Sequence, residues 1–214
     1  MMQGQSCGRS GDLAQTVSGG VTNIVLAGVG GQGSVLATRI LARAAELAGH
    51  DVVTAEVHGM SQRGGTVVTT VRFGPQVLSP AIPKGEAGFL VAFERLEGAR
   101  NLDMLRAGGV ALVNDQRIAP SMEAIRHAGY PSTDDLHHRA RSRDVRLLLF
   151  PALQLARELG NDRLSSTVML GALSSHLQID RRHWLAAVRE SVPPKTIKDN
   201  EAALAAGMEK VEVG

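Results

Sequence analysis

Asn23-Ile24-Val25-Leu26-Ala27-Gly28-Val29-Gly30-Gly31-Gln32-Gly33-Ser34 is the stretch that decides the fold. Its first half, Asn23–Ala27, is an apolar run without alternation, the pattern of a strand buried on both faces. Its second half fits G-x-G-x-x-G. From Ser34 to Ala48, Val35, Leu36, Ile40, Leu41, Ala44, Ala45 and Leu47 then recur at helical spacing, and Gly49 stands at the stop. A buried strand, a glycine turn and a helix in that order form the opening unit of a covered parallel sheet.

Working outward, Val52–Val57 reads as a second strand. A glycine-rich polar loop, His58–Gly65, follows, and Thr66–Phe73 (TVVTTVRF) is β-branched and alternating enough for a third strand. Three prolines (Pro75, Pro80, Pro83) make the segment from Gly74 to Gly88 a loop. Phe89–Phe93 is strand-like. Glu94–Arg106 reads as a helix stopped by Gly108-Gly109, and Val110–Val113 as the next strand. Asn114–Arg143 is polar and weakly patterned. Asp144–Phe150 restores a strand, Pro151 opens a helix running to Leu159, and only helices follow, over Leu164–Leu177, Asp180–Ser191 and Pro194–Ala206, with Asp180 as an N-cap. The expected fold is α/β: a three-layer, Rossmann-like domain with a mostly parallel or mixed sheet and a helical C-terminal part. Residues 1–20 read as a mobile leader and residues 21–214 as a single domain.

The chain has 214 residues, of which 43% are hydrophobic and 21% charged, enough apolar mass for one real core. No apolar run approaches the roughly 18 residues of a membrane span, and the leader carries no apolar signal region, so a soluble cytoplasmic protein is expected. Cys7 is the single cysteine. One thiol holds neither an iron–sulfur cluster nor a cysteine-built zinc site, so any redox metal belongs to another chain. Net charge is +2, and the aromatics are four Phe, one Tyr and one Trp. That is too few stacking rings for a single-strand nucleic-acid surface, and no nucleic-acid partner is expected.

Two readings of the glycine turn stand side by side. Gly28, Gly30, Gly31, Gln32, Gly33 and Ser34 lie where helix N–H groups and a partial positive charge receive an anion or a nucleotide phosphate. The same glycines also permit a tight turn and close helix–strand packing. Glu56 ends the second strand roughly twenty residues beyond Gly33, the place of a ribose-binding acid in a dinucleotide domain. No Lys-Ser/Thr follows the glycines, so this is not a P-loop.

The loop after the second strand is chemically dense. Glu56, His58, Ser61, Gln62 and Arg63 crowd together, and Gly59, Gly64 and Gly65 open backbone conformations that other residues avoid. The Arg63 fork suits a carboxylate or phosphate, or an ion pair that pins the loop. Loops at the carboxyl edge of an open α/β sheet are where such folds assemble their sites.

GVGGQG opening a helix, EVHGMSQRGG and the TVVTTVRF strand together resemble the gamma-type subunit of 2-oxoacid:ferredoxin oxidoreductases. The HGMSQRGG form looks most like the small (beta) subunit of the indolepyruvate type. The resemblance runs from about Asn23 to Gly207 and includes Val168–Leu173 (VMLGAL), Asn200 and Ala203. Two positions depart from the family pattern: Ser166 stands where related chains tend to carry Asn, and Gly88 where an aspartate commonly precedes the fourth strand. The resemblance implies a subunit of an enzyme in which thiamine diphosphate with Mg decarboxylates the 2-oxoacid. Coenzyme A is then the co-substrate that receives the acyl group, and iron–sulfur clusters pass electrons to ferredoxin. This sequence has no GDG-type diphosphate motif and no cysteine set, so those groups are expected on a large catalytic subunit. The glycine turn and the loop from Glu56 to Gly65 would face that partner's active-site region. No catalytic residue and no metal ligand is assigned to this chain. The alternatives are a self-sufficient NAD(P)- or other nucleotide-dependent Rossmann oxidoreductase and a purely structural assembly subunit.

Other clusters read as scaffold. His137, His138, Arg139, Arg141, Arg143 and Arg146 form either a phosphate-binding patch or a solvated connector, and adjacent histidines lack the spacing of a metal pair on a helix. Asp134-Asp135 reads as a helix start. His176 and His183 sit in helical context, as packing or surface groups.

Overall fold

The computed structural model of the protein describes residues 20–58, 65–118 and 130–212. The expected leader and Ser61, Gln62, Arg63 and Gly64 of the second loop lie outside the described residues.

Six strands form one sheet: β1 (Thr22–Val29), β2 (Asp51–His58), β3 (Thr66–Gly74), β4 (Ala87–Ala92), β5 (Leu105–Asn114) and β6 (Arg146–Phe150). Their order is β2-β3-β1-β4-β5-β6. β1, β4, β5 and β6 run parallel, whereas β3 is antiparallel to both β1 and β2. The sheet is therefore mixed. The physical reason is the short connection from His58 to Thr66, because a parallel return needs a crossover of a dozen or more residues and this link is too short. β2 becomes the outer strand of a hairpin, and β3 is inserted between it and β1.

Among the described residues the helices are α1 (Ser34–Leu47), α2 (Arg95–Asn101), α3 (Thr133–Arg141), α4 (Ala152–Glu158), α5 (Ser165–Ser174), α6 (Arg181–Ser191) and α7 (Ile197–Glu212). The sheet alternates as a pleat must. Ile24, Leu26, Val71, Val91, Phe93 and Leu112 pack on one face against α1 and the C-terminal helices. Val25, Ala27, Leu90, Ala92, Ala111 and Val113 pack on the other against Ala99 of α2 and Leu136 and Ala140 of α3. The layers are unequal, since α4 to α7 all join the α1 side. Ser166 through Ser174 of α5 are buried, which is why that helix shows no amphipathic stripe.

Several expected boundaries change. The helix after β4 is only Arg95–Asn101, followed by a 3-10 turn over Leu102–Met104, and β5 already begins at Leu105. Leu105 pairs with Ala87, so Gly108-Gly109 is not a helix stop but lies inside β5, where the register shifts and Gly108 takes φ 71°. Tertiary pairing overrides the local helical pattern there. Gly88 lies within β4 rather than before it. The polar stretch before β6 contains α3, opened by a capping box in which the Ser132 side chain accepts the Asp135 N–H and Asp135 reaches back to Ser132 N–H. His137, His138, Arg139 and Arg141 thus sit on a helix and not in a connector; Arg139, Arg141, Arg143 and Arg146 are exposed.

Candidate functional site

Because β3 runs backwards, the rim of the sheet carries the ends of β1, β2, β4 and β5 together with the start of β3. Val29 pairs with Thr66, and His58 pairs with Val67. The turn Gly28–Gly33 and the root of the second loop are therefore neighbours. The Gly30 N–H donates to the Gly65 carbonyl at 3.0 Å, joining the two segments directly.

Each residue of the glycine turn has a distinct task. A Cβ on Gly28 would stand 2.9 Å from Phe93 Cδ2 and 3.0 Å from Gln32 Oε1, so nothing larger fits. Gly31 and Gly33 take φ of 98° and 82°, conformations that favour glycine. A side chain on Gly33 would also meet Ser166 Oγ at 2.8 Å, whereas no atom of the described residues stands within 4 Å of a Cβ on Gly31. Gln32 does not point outward: its Oε1 accepts the Val29 N–H at 2.8 Å, and its Nε2 donates to the Phe93 carbonyl at 2.9 Å. Asn114 Nδ2 donates to that same carbonyl at 3.1 Å and to Gln116 Oε1 at 3.1 Å. A lattice of amides thus locks the ends of β1, β4 and β5 into one rigid rim.

α1 starts at Ser34 with Gly33 as N-cap, no side-chain cap and no acidic residue in its first turn. Its own first turn thus supplies no side-chain counter-charge to the positive end. Ser166, buried to 1% exposure, has an Oγ without a hydrogen-bond partner among the described residues and lies against Gly33 at this same end. An open helix N-terminus beside a buried, unpartnered hydroxyl is an arrangement suited to an anion.

A second cluster adjoins the rim, and the sequence reading missed it. Glu94 and Glu97 are both 1% exposed. Glu94 caps α2 by accepting the Glu97 N–H, and its other oxygen accepts the Tyr130 hydroxyl. Glu97 Oε1 accepts from Arg100 Nη1 at 2.6 Å and from Thr66 Oγ1 at 3.0 Å, while Oε2 is buried without a partner among the described residues. Burial pushes the Glu97 carboxyl above its ordinary pKa, against the opposing pull of Arg100 and Thr66. Burial, and then the Glu94 carboxylate, push the Tyr130 phenol up in the same way. Arg117 stacks over the Tyr130 ring at 4.7 Å, closing the cluster. The available sequence signal was E-x-x-E directly after a fully apolar strand.

The topology gives no support to a dinucleotide site. Glu56 lies on β2, beyond the inserted β3, so about 10 Å of sheet separates its strand from the strand carrying the glycine turn. A ribose acid would need the adjacent strand. Among the described residues no group of three His, Cys, Asp or Glu side chains could hold a metal ion, and no helix is long and apolar enough to cross a membrane.

Residues 23–210 match the pyruvate ferredoxin/flavodoxin oxidoreductase family. The chain belongs to that family. It is 37% identical over 189 residues to indolepyruvate oxidoreductase subunit IorB of Pyrococcus horikoshii, covering 87% of this chain and 94% of that one. It is 30% identical over 200 residues to 2-oxoglutarate synthase subunit KorC of Methanothermobacter thermautotrophicus, covering 89% and 95%. Among solved structures, the gamma subunit of a keto/oxoacid ferredoxin oxidoreductase from Geobacter sulfurreducens superposes with a TM-score of 0.66 at 23% identity, over 90% of this chain and 99% of that one. A 2-oxoglutarate:ferredoxin oxidoreductase chain from Magnetococcus marinus, with 2-oxoglutarate, coenzyme A and succinyl-CoA bound in the structure, superposes at 0.71 and 20% identity, over 91% of this chain and 31% of that one. The protein is a small, IorB-like subunit of a 2-oxoacid:ferredoxin oxidoreductase and works within a multi-subunit enzyme.

Proposed function

We propose that this subunit completes the active-site region of an indolepyruvate-type 2-oxoacid:ferredoxin oxidoreductase by receiving the acyl acceptor, coenzyme A, at its glycine turn. The large catalytic subunit would carry thiamine diphosphate with Mg and the iron–sulfur clusters that reduce ferredoxin. One cysteine cannot ligate such a cluster, and Cys7 lies far in sequence from every rim residue. The enzyme would act in the cytoplasm, in keeping with this lone thiol.

The observation that carries this reading is the Gly30–Gly65 hydrogen bond, which sets the open end of α1 beside the root of the second loop. In the proposed role, the α1 N-terminus and Ser166 Oγ bind phosphate oxygens, Gly31 leaves room for close approach, and Gln32 keeps the turn rigid. His58, Ser61, Gln62, Arg63 and Gly64 would face the partner. Thioester formation itself belongs to the thiamine-bearing subunit; this chain orients the incoming thiol's nucleotide and excludes water from its phosphates.

The test is co-expression with the large subunit. Arg63→Ala is expected to leave the complex able to form while lowering 2-oxoacid oxidation. Gly31→Asp, which sets a negative charge in the open turn, is expected to raise the KM for coenzyme A about tenfold or more. Full activity of both variants would remove the proposal.

A further inference from the structure

Glu97 occupies an unusual position for a carboxylate. It sits in the first turn of α2 with its side chain 2% exposed, and one oxygen has no partner among the described residues. Burying a carboxylate in this way opposes folding to the extent that its hydrogen bonds and charge partner fall short of the desolvation cost, which an apolar side chain filling the same space would not incur. Its partners come from two elements: Arg100 Nη1, from its own helix, and Thr66 Oγ1, the first side chain of β3. Arg100 Nη1 also reaches Thr66 Oγ1 at 3.5 Å, so the three groups form a closed triangle. Glu94, the other acid facing Glu97, is occupied with the α2 backbone and Tyr130.

Thr66 is the residue next to Gly65, whose carbonyl accepts the Gly30 N–H. A continuous chain of contacts therefore runs from Arg100 through Glu97, Thr66 and Gly65 to the glycine turn. Every link is a hydrogen bond or lies within one residue and its peptide bond, so the acid and the turn belong to one contiguous network.

We propose that Glu97 is a positioning residue that sets the glycine turn for ligand binding by clamping Thr66, without itself touching the ligand. This inference rests on the reading of the turn as the coenzyme A site. It assigns to a buried acid of α2, outside both glycine-rich loops, control over how well the turn binds. Loss of the clamp frees the Gly65 carbonyl to shift, and with it Gly30, while the amide lattice around Gln32 keeps β1, β4 and β5 in place. The expected result is weaker coenzyme A binding with the turnover of bound substrate little changed.

The experiment uses the two-subunit complex, with KM for coenzyme A, KM for the 2-oxoacid and kcat measured for Glu97→Ala, Thr66→Val and Thr66→Ser. Glu97→Ala and Thr66→Val should each raise KM for coenzyme A by about five- to tenfold, leaving KM for the 2-oxoacid and kcat within about twofold. Thr66→Ser keeps the hydroxyl and should restore the wild-type value. A purely structural role would lower kcat and complex yield together without that selectivity. If Glu97→Ala does not assemble, the Thr66 pair decides: a raised value in Val and a normal one in Ser supports the clamp. Unchanged coenzyme A KM in Thr66→Val overturns it. Gly31→Asp separates the two layers. If it raises KM for coenzyme A and the clamp variants do not, only the clamp falls; if it too is without effect, the reading of the turn falls with it.

Discussion

Gly171 and Gly207 face each other where α5 crosses α7, and neither tolerates a side chain. A Cβ on Gly207 would stand 2.0 Å from the Val168 carbonyl oxygen, and one on Gly171 would stand 2.1 Å from that of Leu204. The atoms obstructing both are backbone, which cannot step aside as a side chain can. The same crossing carries a buried hydrogen bond from Thr167 Oγ1 to Asn200 Oδ1 at 2.7 Å.

Gly171→Ala is therefore expected to push α7 off α5 and to destabilise the subunit by about 3 kcal/mol or more, despite alanine's better helix propensity. Chemical denaturation checks it. A stable Gly171→Ala protein would mean that the helices cross at a greater distance.

Gln32→Ala removes the side chain that joins Val29, Phe93 and Gln116. The Val29 N–H and the Phe93 carbonyl lose a partner at a partly buried rim, at a cost of about 1–3 kcal/mol. Thermal unfolding should report that loss, and Gln32→Glu should not rescue it, because a carboxylate cannot donate to the Phe93 carbonyl.

Glu97 makes stability pH-dependent with a definite sign. Its folded-state pKa is raised from the ordinary 4.5, so between that value and the raised one the native protein binds more protons than the unfolded chain. The stability linked to this group is present below pH 4.5 and is lost as pH rises through the raised pKa. Glu97→Gln should flatten that decline, as read from denaturation midpoints across pH 4 to 8. An identical pH profile in the variant would show that the carboxyl is not shifted.

Ser166→Ala separates fold from function at the α1 terminus. With no hydrogen bond to lose, the subunit should keep its stability or gain up to about 1 kcal/mol. In the assembled enzyme the same change should raise KM for coenzyme A about tenfold or more, the loss of one hydrogen bond to an anion. Unchanged KM would mean that the hydroxyl merely packs against Gly33.

Much of this architecture was legible in advance, because strong local signals coincide with it. Asn23–Ala27 has no polar residue to place on a solvent face, and Gly28–Gly33 stands at the junction of an apolar strand and a periodic helix. Asp180 caps α6 as its residue type suggests, with its side chain accepting the Arg182 N–H. Besides α3, whose Ser132–Asp135 capping box is a local signal within a polar stretch, two features were not legible, and both are tertiary. The start of β5 at Leu105 follows from pairing with β4, which no local pattern at Leu102–Arg106 encodes. The Glu94–Glu97 cluster draws its partners from Thr66 and Tyr130, about thirty residues away on either side, so spacing along the chain could not reveal it. The glycine fingerprint misled on one point alone. It suggested an acid on the neighbouring strand, but the hairpin places a different strand there.

That hairpin leaves the enzyme family free to vary. β2 and β3 pair along their whole length, from Asp51 opposite Gly74 to His58 opposite Val67, so the register rests on the strands themselves and not on the residues that join them. Residues between the two strands can thus be exchanged on a scaffold that never has to be re-invented.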